Sequence, residues 1–396
     1  MVHERFPADL LVQPPSHRLA YFRSYTVAHP VLKDVDLAVK RALREPAGGF
    51  LILVVGPTGV GKTTLRLRIE QHLRNTFVSA AKEDPERIPV IGVEAAAPDS
   101  GNFNWKDYYR RALLALEEPL TDSKIDYGSA GVLATQTGRY AVVRRGEGSE
   151  LRYALEQALR HRRPAAVLID EAQHLTKIAS GRKLADQLDC LKSFASLTGC
   201  VHVLIGTYEL LPFRNLSAQL SRRSMDIHFR RYHARDPEDA AAFQRIVYSF
   251  QRHLPLVEEP ELWRDWDYYY TYSVGCVGIL KDWLTRALAT ALDEGSKTLT
   301  RQHLERHAWS LDQCHKMAQE AIEGEAALTH TTESCLRLRQ LLGFSEPQVS
   351  GEDTEALVAN PLPALDLKRQ PAQRSRRRAG ERRPKRDRIG KECHAS

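Results

Sequence analysis

A glycine-rich stretch could bind the phosphate groups of a nucleotide. It contains Gly56, Pro57, Thr58, Gly59, Val60, Gly61, Lys62, Thr63 and Thr64, which fits the pattern G-x-x-x-x-G-K-[ST] of a P-loop. The glycines allow a tight turn whose N–H groups point inward, so that a polyphosphate meets hydrogen-bond donors. We expect Lys62 to contact the β- and γ-phosphates and the Thr63 hydroxyl to bind Mg²⁺. The stretch therefore predicts a site for ATP and Mg²⁺, with a chance glycine-rich turn as the alternative.

Two adjacent acids follow a second apolar run. Asp170 and Glu171 come directly after residues 165–169, which read Ala-Ala-Val-Leu-Ile. In open α/β sheets, ligands bind at the carboxyl ends of the strands, which is where this pair would lie. Asp170 is placed to hold Mg²⁺ through water, and Glu171 to orient and deprotonate a water that attacks the γ-phosphate. The pair therefore predicts hydrolysis of the nucleotide.

Further positions are candidates for contact with the same nucleotide. Thr207 follows an apolar run at 201–206, so we expect it at the same sheet edge, sensing the γ-phosphate or the attacking water. Arg222 and Arg223 would be expensive to bury unpaired, so they face either solvent or phosphate. If two subunits pack side by side, one of these arginines is a finger acting in trans. Lys281 follows a glycine-broken turn and is expected to reach the nucleotide from a helical lid.

The elements that must position these residues are predicted from the spacing of apolar side chains. The unbroken run 50–55 predicts a strand of a parallel sheet, buried on both faces, and a helix is expected to begin at Lys62. Similar runs predict strands at 88–93, 165–169, 201–206 and 225–229. Helical spacing occurs at 31–43, 105–116, 151–159 and 184–195, and it continues from residue 236 to about residue 320. The pattern predicts an α/β fold with a parallel sheet, followed by a helical region.

Two segments lack a sustained period. Residues 1–29 are expected to form an arm leading into the first domain, and the stretch 120–150 is expected to be a functional insertion or a mobile segment. Arg139, Arg144 and Arg145 within that stretch are candidate contacts for the backbone of DNA. The alternative is that they are solvated loop residues, since arginine is common on such loops.

Positive charge is concentrated near the end of the sequence. The 396 residues carry a formal charge of +7, but residues 367–396 hold twelve Lys/Arg and three Asp/Glu, or +9, which leaves −2 for the rest. This basic tail is expected to be disordered and to contact nucleic acid or an acidic partner, or else only to keep the chain in solution. Neither a signal peptide nor an apolar run of membrane-spanning length occurs, so we expect a cytoplasmic protein without a membrane partner. The six cysteines are scattered, and neither disulfides nor a zinc site is expected.

The motifs together resemble AAA+ ATPases, and within them the TnsC/TniB group of transposition regulators, relatives of the MuB and IstB types. The resemblance spans residues 29–320 and rests on the P-loop, on Leu-Ile-Asp-Glu-Ala-Gln-His-Leu at 168–175, on Ile-Gly-Thr-Tyr-Glu-Leu at 205–210, on Arg222-Arg223 with Ile-His-Phe at 227–229, and on Val-Gly-Ile-Leu-Lys-Asp-Trp-Leu at 277–284. It implies that Thr207 is the first sensor and Arg223 the preferred finger. Lys281 stands where the family has its second-sensor arginine.

This resemblance implies an ATP-dependent protein that forms rings or helical filaments on double-stranded DNA. Such a homo-oligomer links a target-selection factor, either a TniQ-like protein or a CRISPR-associated one, to a transposase, and ATP hydrolysis controls assembly and disassembly. A helicase loader or replication initiator would share the same core, and a nucleotide-gated scaffold with little hydrolysis is a third interpretation. We expect an N-terminal arm at 1–29, a P-loop AAA+ core at 30–235, a smaller helical lid domain at 236–345 and a basic tail at 346–396.

Overall fold

The fold is taken from a computed structural model of the chain. The structure describes residues 5–45, 51–98, 101–119, 121, 131–134, 140–143, 147–177, 184–214, 224–329 and 332–344. Two compact units are separated at residue 330, and the second contains a single described helix. The predicted segment boundaries after residues 29, 235 and 345 remain predictions. Among the described helices, none has the length and apolar character needed to cross a membrane.

Five parallel strands form the central sheet. They are β1 (Leu51–Val55), β2 (Val90–Glu94), β5 (Ala166–Asp170), β6 (Val201–Gly206) and β7 (Ser224–His228), and their order across the sheet is β2, β5, β6, β1, β7. The P-loop strand β1 therefore lies between β6 and β7, with Val55 opposite both Gly206 and His228. This confirms the predicted parallel sheet, and it brings the carboxyl ends of β1, β5 and β6 to one edge.

Alternate residues of β1 explain why its sequence is apolar throughout. Ile52 and Val54 belong to one buried cluster, and Leu51, Leu53 and Val55 belong to another. Successive side chains of a strand point to opposite faces of the sheet, so a strand covered on both faces needs apolar residues at every position. The two clusters therefore place helices on both faces of the sheet, as expected for the predicted α/β core.

The helices of the first compact unit surround this sheet and continue beyond it. They are α1 (Pro15–Ser24), α2 (Pro30–Arg44), α3 (Lys62–Thr76), α4 (Val78–Glu83), α5 (Trp105–Ala115), α6 (Glu147–Arg162), α7 (Leu184–Thr198), α8 (Leu211–Arg214), α9 (Pro237–His253), α10 (Trp266–Ser273), α11 (Val277–Asp293), α12 (Arg301–His307) and α13 (Leu311–Leu328). The second unit contributes α14 (Thr332–Leu341). From α9 onward the described residues contain helices and no strands, which agrees with the predicted helical region.

The helical region is packed around an aromatic cluster. Trp283 is fully buried, and its indole Nε1 donates to the carbonyl oxygen of Leu304 at 2.8 Å. The rings of Tyr268, Tyr269 and Tyr272 lie 5.4 to 5.6 Å from the Trp283 ring. These aromatic residues are therefore core material that holds α10 against α11.

Two segments without a sustained sequence period contain regular structure. Within 120–150, where no regular structure was expected, β3 (Gly131–Ala134) and β4 (Tyr140–Val143) pair in an antiparallel hairpin, and α6 already begins at Glu147. Two strands of four residues are too short to show a clear period of two in the sequence. The arm also contains α1, whose Phe22 is fully buried against Phe250 of α9, with ring centroids 6.1 Å apart. The described part of the arm therefore packs against the rest of the first unit through Phe22.

Candidate active site

The P-loop turns between β1 and α3 at a point where only glycine fits. The N–H of Gly56 donates to the carbonyl oxygen of Gly206 on β6 at 3.2 Å. A Cβ atom at Gly56 would lie 2.2 Å from the carbonyl oxygen of Phe229, which follows β7. Gly61 has φ of +112°, a conformation that other residues rarely adopt. The loop is thus fixed by its two neighbouring strands before any phosphate binds.

Lys62 is the first residue of α3, and its ammonium lies inside the loop. Its Nζ donates to the carbonyl oxygens of Gly56 at 3.2 Å and Pro57 at 2.9 Å. Burial lowers the pKa of this ammonium, and the carboxylates of Glu171 and Asp170 oppose the shift. An ammonium has three donors, so one is left over for a phosphate oxygen. The helix N-terminus beside it adds a positive dipole end.

The acidic pair lies at the end of β5, as predicted. Asp170 is buried, and its Oδ1 accepts a hydrogen bond from the backbone N–H of Glu171 at 3.0 Å. Its Oδ2 accepts one from Nε of Arg66 on α3 at 3.2 Å. Glu171 has φ of +50°, in the left-handed region, so the chain turns sharply between the two acids. The turn separates their roles, with Asp170 beside α3 and Glu171 in the wall of the cavity.

Thr207 follows β6 and lies at the same sheet edge. Its Oγ1 is buried and has no hydrogen-bond partner among the described residues. Its backbone N–H donates to Oε1 of Gln173 at 3.2 Å, and Nε2 of Gln173 donates to Oε2 of Glu171. Gln173 lies two residues after Glu171, and no pattern in the sequence predicts a role for it. An unpaired buried hydroxyl is costly, so this position fits a residue that receives a ligand.

A cavity of about 420 Å³ joins these residues, a size within the range of small-molecule sites. The P-loop, the end of β5 and the end of β6 form one side, and the N-terminal arm with α2, α9 and α11 forms the other. It is lined by Arg23, Tyr25, Thr26, Val27, His29, Leu32, Thr58, Gly59, Val60, Gly61, Lys62, Thr63, Thr64, Glu171, Gln173, Thr207, Phe250, Val277, Gly278, Lys281 and Asp282. Gly56, Pro57 and Asp170 are not among the residues that line it.

Lys281 lines the cavity, but its ammonium is held by the arm. Nζ donates to the carbonyl oxygens of Tyr25 and, at 3.3 Å, of Arg23, and it lies 5.1 Å from the ring centroid of Phe22. Burial lowers the pKa of Lys281 to about 8. The contribution of Arg23 and Tyr25 to the cavity is not predicted from the sequence, since the arm shows no periodic pattern. In this arrangement Lys281 connects α11 to the end of α1.

The oxygen donors of the site fit Mg²⁺. Thr63 lines the cavity at the start of α3, and Asp170 presents a carboxylate at the end of β5, where Arg66 of α3 contacts it. Mg²⁺ prefers hard oxygen ligands and usually keeps several waters, so one hydroxyl and one carboxylate with substrate phosphates suffice. Bound there, the ion would offset the charge of the phosphates. The hydroxyl of Thr207, which lacks a partner among the described residues, lies in the same cavity and is available to the phosphates.

Five predicted positions lie outside the described residues. They are the proposed finger residues Arg222 and Arg223 and the proposed DNA contacts Arg139, Arg144 and Arg145. Their roles remain predictions. The positions that the structure does bring together around one cavity are the P-loop, Glu171, Thr207 and Lys281.

The sheet order, the P-loop and the acidic strand end define a P-loop protein with an AAA+ core. Residues 47–213 match a family model described as an AAA domain. The matched segment begins before β1 and ends within α8, so it contains the P-loop, the acidic pair and Thr207.

The chain resembles individual proteins in part of its sequence and in its fold. A tRNA dimethylallyltransferase 1 of Phocaeicola vulgatus is 38% identical over 71 residues, which is 16% of this chain and 24% of that protein, and the relative from Bacteroides thetaiotaomicron is 37% identical over 71 residues. This chain thus spans about a quarter of the length of these curated relatives. Among solved structures, the Aeropyrum pernix ORC2 protein in its ADPNP–ADP complexes is 18% identical with a TM-score of 0.43, covering 81% of this chain and 78% of that one. The Aeropyrum pernix ORC1 protein in complex with DNA is 13% identical with a TM-score of 0.45, covering 87% and 89%.

Proposed function

We propose that this protein binds ATP with Mg²⁺ and hydrolyses it. One observation supports the proposal above the others: Lys62, Thr63, Glu171 and an unpaired Thr207 hydroxyl surround a single cavity. In this proposal Lys62 and the P-loop bind the phosphates, and Thr63 and Asp170 hold the metal. Glu171 orients the attacking water and accepts its proton. Thr207 contacts the γ-phosphate or that water.

We further propose that the nucleotide state controls assembly on double-stranded DNA, as in the TnsC/TniB group of transposition regulators. The support is the resemblance of the motifs at 168–175, 205–210, 222–229 and 277–284. Adjoining copies would form a ring or filament, with Arg223 reaching the nucleotide of the neighbour. The partners would be a target-selection factor and a transposase, and hydrolysis would release or remodel the assembly.

The test combines nucleotide turnover with assembly on DNA. Purified protein is mixed with linear duplex DNA and a non-hydrolysable ATP analogue and imaged by negative stain, and ATP turnover is measured with and without the duplex. We expect filaments or rings on the DNA and turnover that responds to it. Rings that form without DNA around a replicative helicase would indicate a loader, and ATP binding without turnover would indicate a scaffold. A protein that stays monomeric and ignores DNA would contradict the proposal.

Variants separate binding from hydrolysis. Glu171→Gln should keep ATP binding and lose turnover, since the amide cannot accept the proton, whereas Lys62→Ala should lose both. The matched control is Glu209→Gln, which removes an exposed carboxylate close to Thr207 that pairs with Lys177 at 2.9 Å outside the cavity. We expect turnover by this control to stay close to that of the unaltered protein.

A further inference from the structure

One amide side chain joins the two residues that the proposed hydrolysis requires at the γ-phosphate. Gln173 lies in the short 3-10 helix Ala172–Thr176 and is 7% exposed. Its NH₂ group donates to the carboxylate of Glu171, and its carbonyl oxygen accepts from the backbone N–H of Thr207 at 3.2 Å. Each end of the amide therefore meets the partner that its chemistry requires.

The surroundings of Gln173 hold this amide in place. A Cβ atom at Gly206, the last residue of β6, would lie 2.5 Å from Oε1 of Gln173 and 3.1 Å from its backbone nitrogen. The absence of a side chain at Gly206 thus creates the space through which the amide passes. The carbonyl oxygen of Gln173 accepts from Oγ1 of Thr176 at 2.7 Å, which fixes the backbone on the other side. A buried side chain bounded in this way has little freedom to adopt another rotamer.

The connection leads from the cavity to the proposed base. The Thr207 hydroxyl is buried without a partner among the described residues, and Thr207 lines the cavity. A phosphate oxygen that accepts from this hydroxyl would hold Thr207 in place, and the backbone N–H of Thr207 in turn holds Gln173. Gln173 in turn holds one oxygen of Glu171, which leaves the other oxygen for a water.

We propose that Gln173 is a positioning residue that orients the Glu171 carboxylate for hydrolysis and ties it to Thr207, the residue that we place at the γ-phosphate. The inference rests on the proposed ATP hydrolysis by Glu171. It assigns Gln173 no contact with the reacting atoms. A base held in one orientation reacts faster than one that must be ordered at each turnover, whereas ground-state nucleotide binding does not need it.

The first test is Gln173→Met, which keeps the length of the side chain and removes both hydrogen bonds. We expect kcat for ATP to fall roughly tenfold or more, since hydrogen bonds to charged groups are among the stronger ones. The KM for ATP and the Kd for ADP should change less than about threefold, since the P-loop is untouched. Gln187→Met is the matched control: Gln187 is 6% exposed and accepts a hydrogen bond from Trp105 on α5, outside the cavity. It should change thermal stability without changing kcat.

The second test distinguishes a hydrogen-bonding role from a packing role. Gln173→Glu places a second carboxyl beside Glu171, where two close carboxylates favour sharing one proton. The shared proton restores a donor toward Glu171. The kcat of this variant relative to the unaltered protein should therefore rise as the pH is lowered from 8 to 6, whereas the relative kcat of Gln173→Met should stay flat.

The outcomes separate this inference from the proposed function. If the unaltered protein does not hydrolyse ATP, the proposed function fails. If it hydrolyses ATP and Glu171→Gln abolishes turnover, while a folded, ADP-binding Gln173→Met keeps kcat within about twofold, only the role of Gln173 is overturned. Equal losses in kcat and in ADP affinity would also overturn it, because they indicate damage to the whole site.

Discussion

The backbone N–H of Gly278 donates a 2.7 Å hydrogen bond to the carbonyl oxygen of Gly59. Gly278 lies in the first turn of α11, and Gly59 lies at the tip of the P-loop, so the helical region rests directly on the phosphate-binding loop. A Cβ atom at Gly278 would lie 2.4 Å from the same oxygen. The contact therefore depends on glycine at this helical position, and the loop cannot shift without α11.

Gly278→Ala should weaken nucleotide binding. The added methyl group would push α11 and the P-loop apart, and overpacking of this kind costs about 1 to 3 kcal/mol. We expect the Kd for ADP, measured by calorimetry, to rise roughly tenfold. Gly295→Ala is the control, because that glycine has φ of +67° but a Cβ atom added there would meet no atom within 4 Å. It should lower thermal stability and leave the ADP affinity unchanged, and a Gly278→Ala protein with normal ADP affinity would contradict the coupling.

Lys281→Met should loosen the N-terminal arm. The carbonyl oxygens of Arg23 and Tyr25 would lose their donor, and the cation over the Phe22 ring would be gone. We expect faster cleavage before residue 30 in limited proteolysis and an ADP affinity about threefold to tenfold weaker, in line with one or two lost hydrogen bonds. Lys177→Met, which removes an exposed ion pair with Glu209, is the control. Direct phosphate binding by Lys281 would instead reduce ADP affinity while the arm stays protected.

The strands and the P-loop could be predicted from the sequence because their signals are local. A strand buried on both faces must be apolar at every position, as in 51–55, and a phosphate-binding turn needs glycine at fixed spacing. The role of Gln173 could not be predicted in this way. Its hydrogen bonds depend on how the turn after β5 meets the end of β6, and the helix α7 lies between these two points in the chain. The residues next to Gln173 in the sequence do not indicate that it will contact Thr207.

Arg66→Gln should alter the Mg²⁺ requirement of ATP turnover. Nε of Arg66 donates to Oδ2 of Asp170 at 3.2 Å, so a guanidinium competes for the carboxylate that we propose as a metal ligand. Without this charge, we expect half-maximal turnover at a Mg²⁺ concentration roughly threefold lower or more, in line with loss of a partly buried charge pair. Arg74→Gln, at the exposed end of the same helix, should leave the Mg²⁺ dependence unchanged. A higher Mg²⁺ requirement in Arg66→Gln would show that the guanidinium instead holds Asp170 in its binding position.

His202 should make the folded state less stable in acid. This histidine is 1% exposed within β6, and burial lowers its pKa to about 4. In the unfolded chain this histidine is protonated below about pH 6.5, whereas in the folded chain it is protonated only below about pH 4. Its contribution to stability is therefore complete above pH 6.5 and is lost as the pH falls toward 4. Between pH 7 and 5 the loss is about 2 kcal/mol from this residue.

Urea unfolding at pH 7 and pH 5 checks this expectation. His202→Gln should reduce the difference in unfolding free energy between the two pH values, whatever its effect on stability at pH 7. His17→Gln, at an exposed position of α1, should leave the difference unchanged. An unaltered pH dependence in His202→Gln would show that the buried imidazole accepts a proton in the folded state.

The packing of the helix α1 could not be predicted from the sequence, for a different reason. The helix α1 has no apolar stripe, because Phe22 is the residue that it buries. Its other contacts are polar: the side chains of Arg18 and Tyr21 bond to Pro255 and His253, and the carbonyl oxygen of Arg23 accepts from Lys281. Periodicity detects apolar side chains that repeat along a face, and it cannot detect an element that is held by one apolar side chain and a few polar contacts. Lys281 lies beside both the cavity and the arm, and its contact with the nucleotide stays a prediction.

The end of α1 and the residues after it form one wall of the cavity. A molecule that binds this segment would therefore change the affinity of the cavity for the nucleotide. A molecule that drew α1 away would open that wall and weaken ATP binding without approaching a phosphate. Linkage requires the reverse to hold by the same factor, so ATP in the cavity would weaken the grip of that molecule. If the proposed ATP site is right, a macromolecule that bound α1 would therefore respond to whether ATP is present.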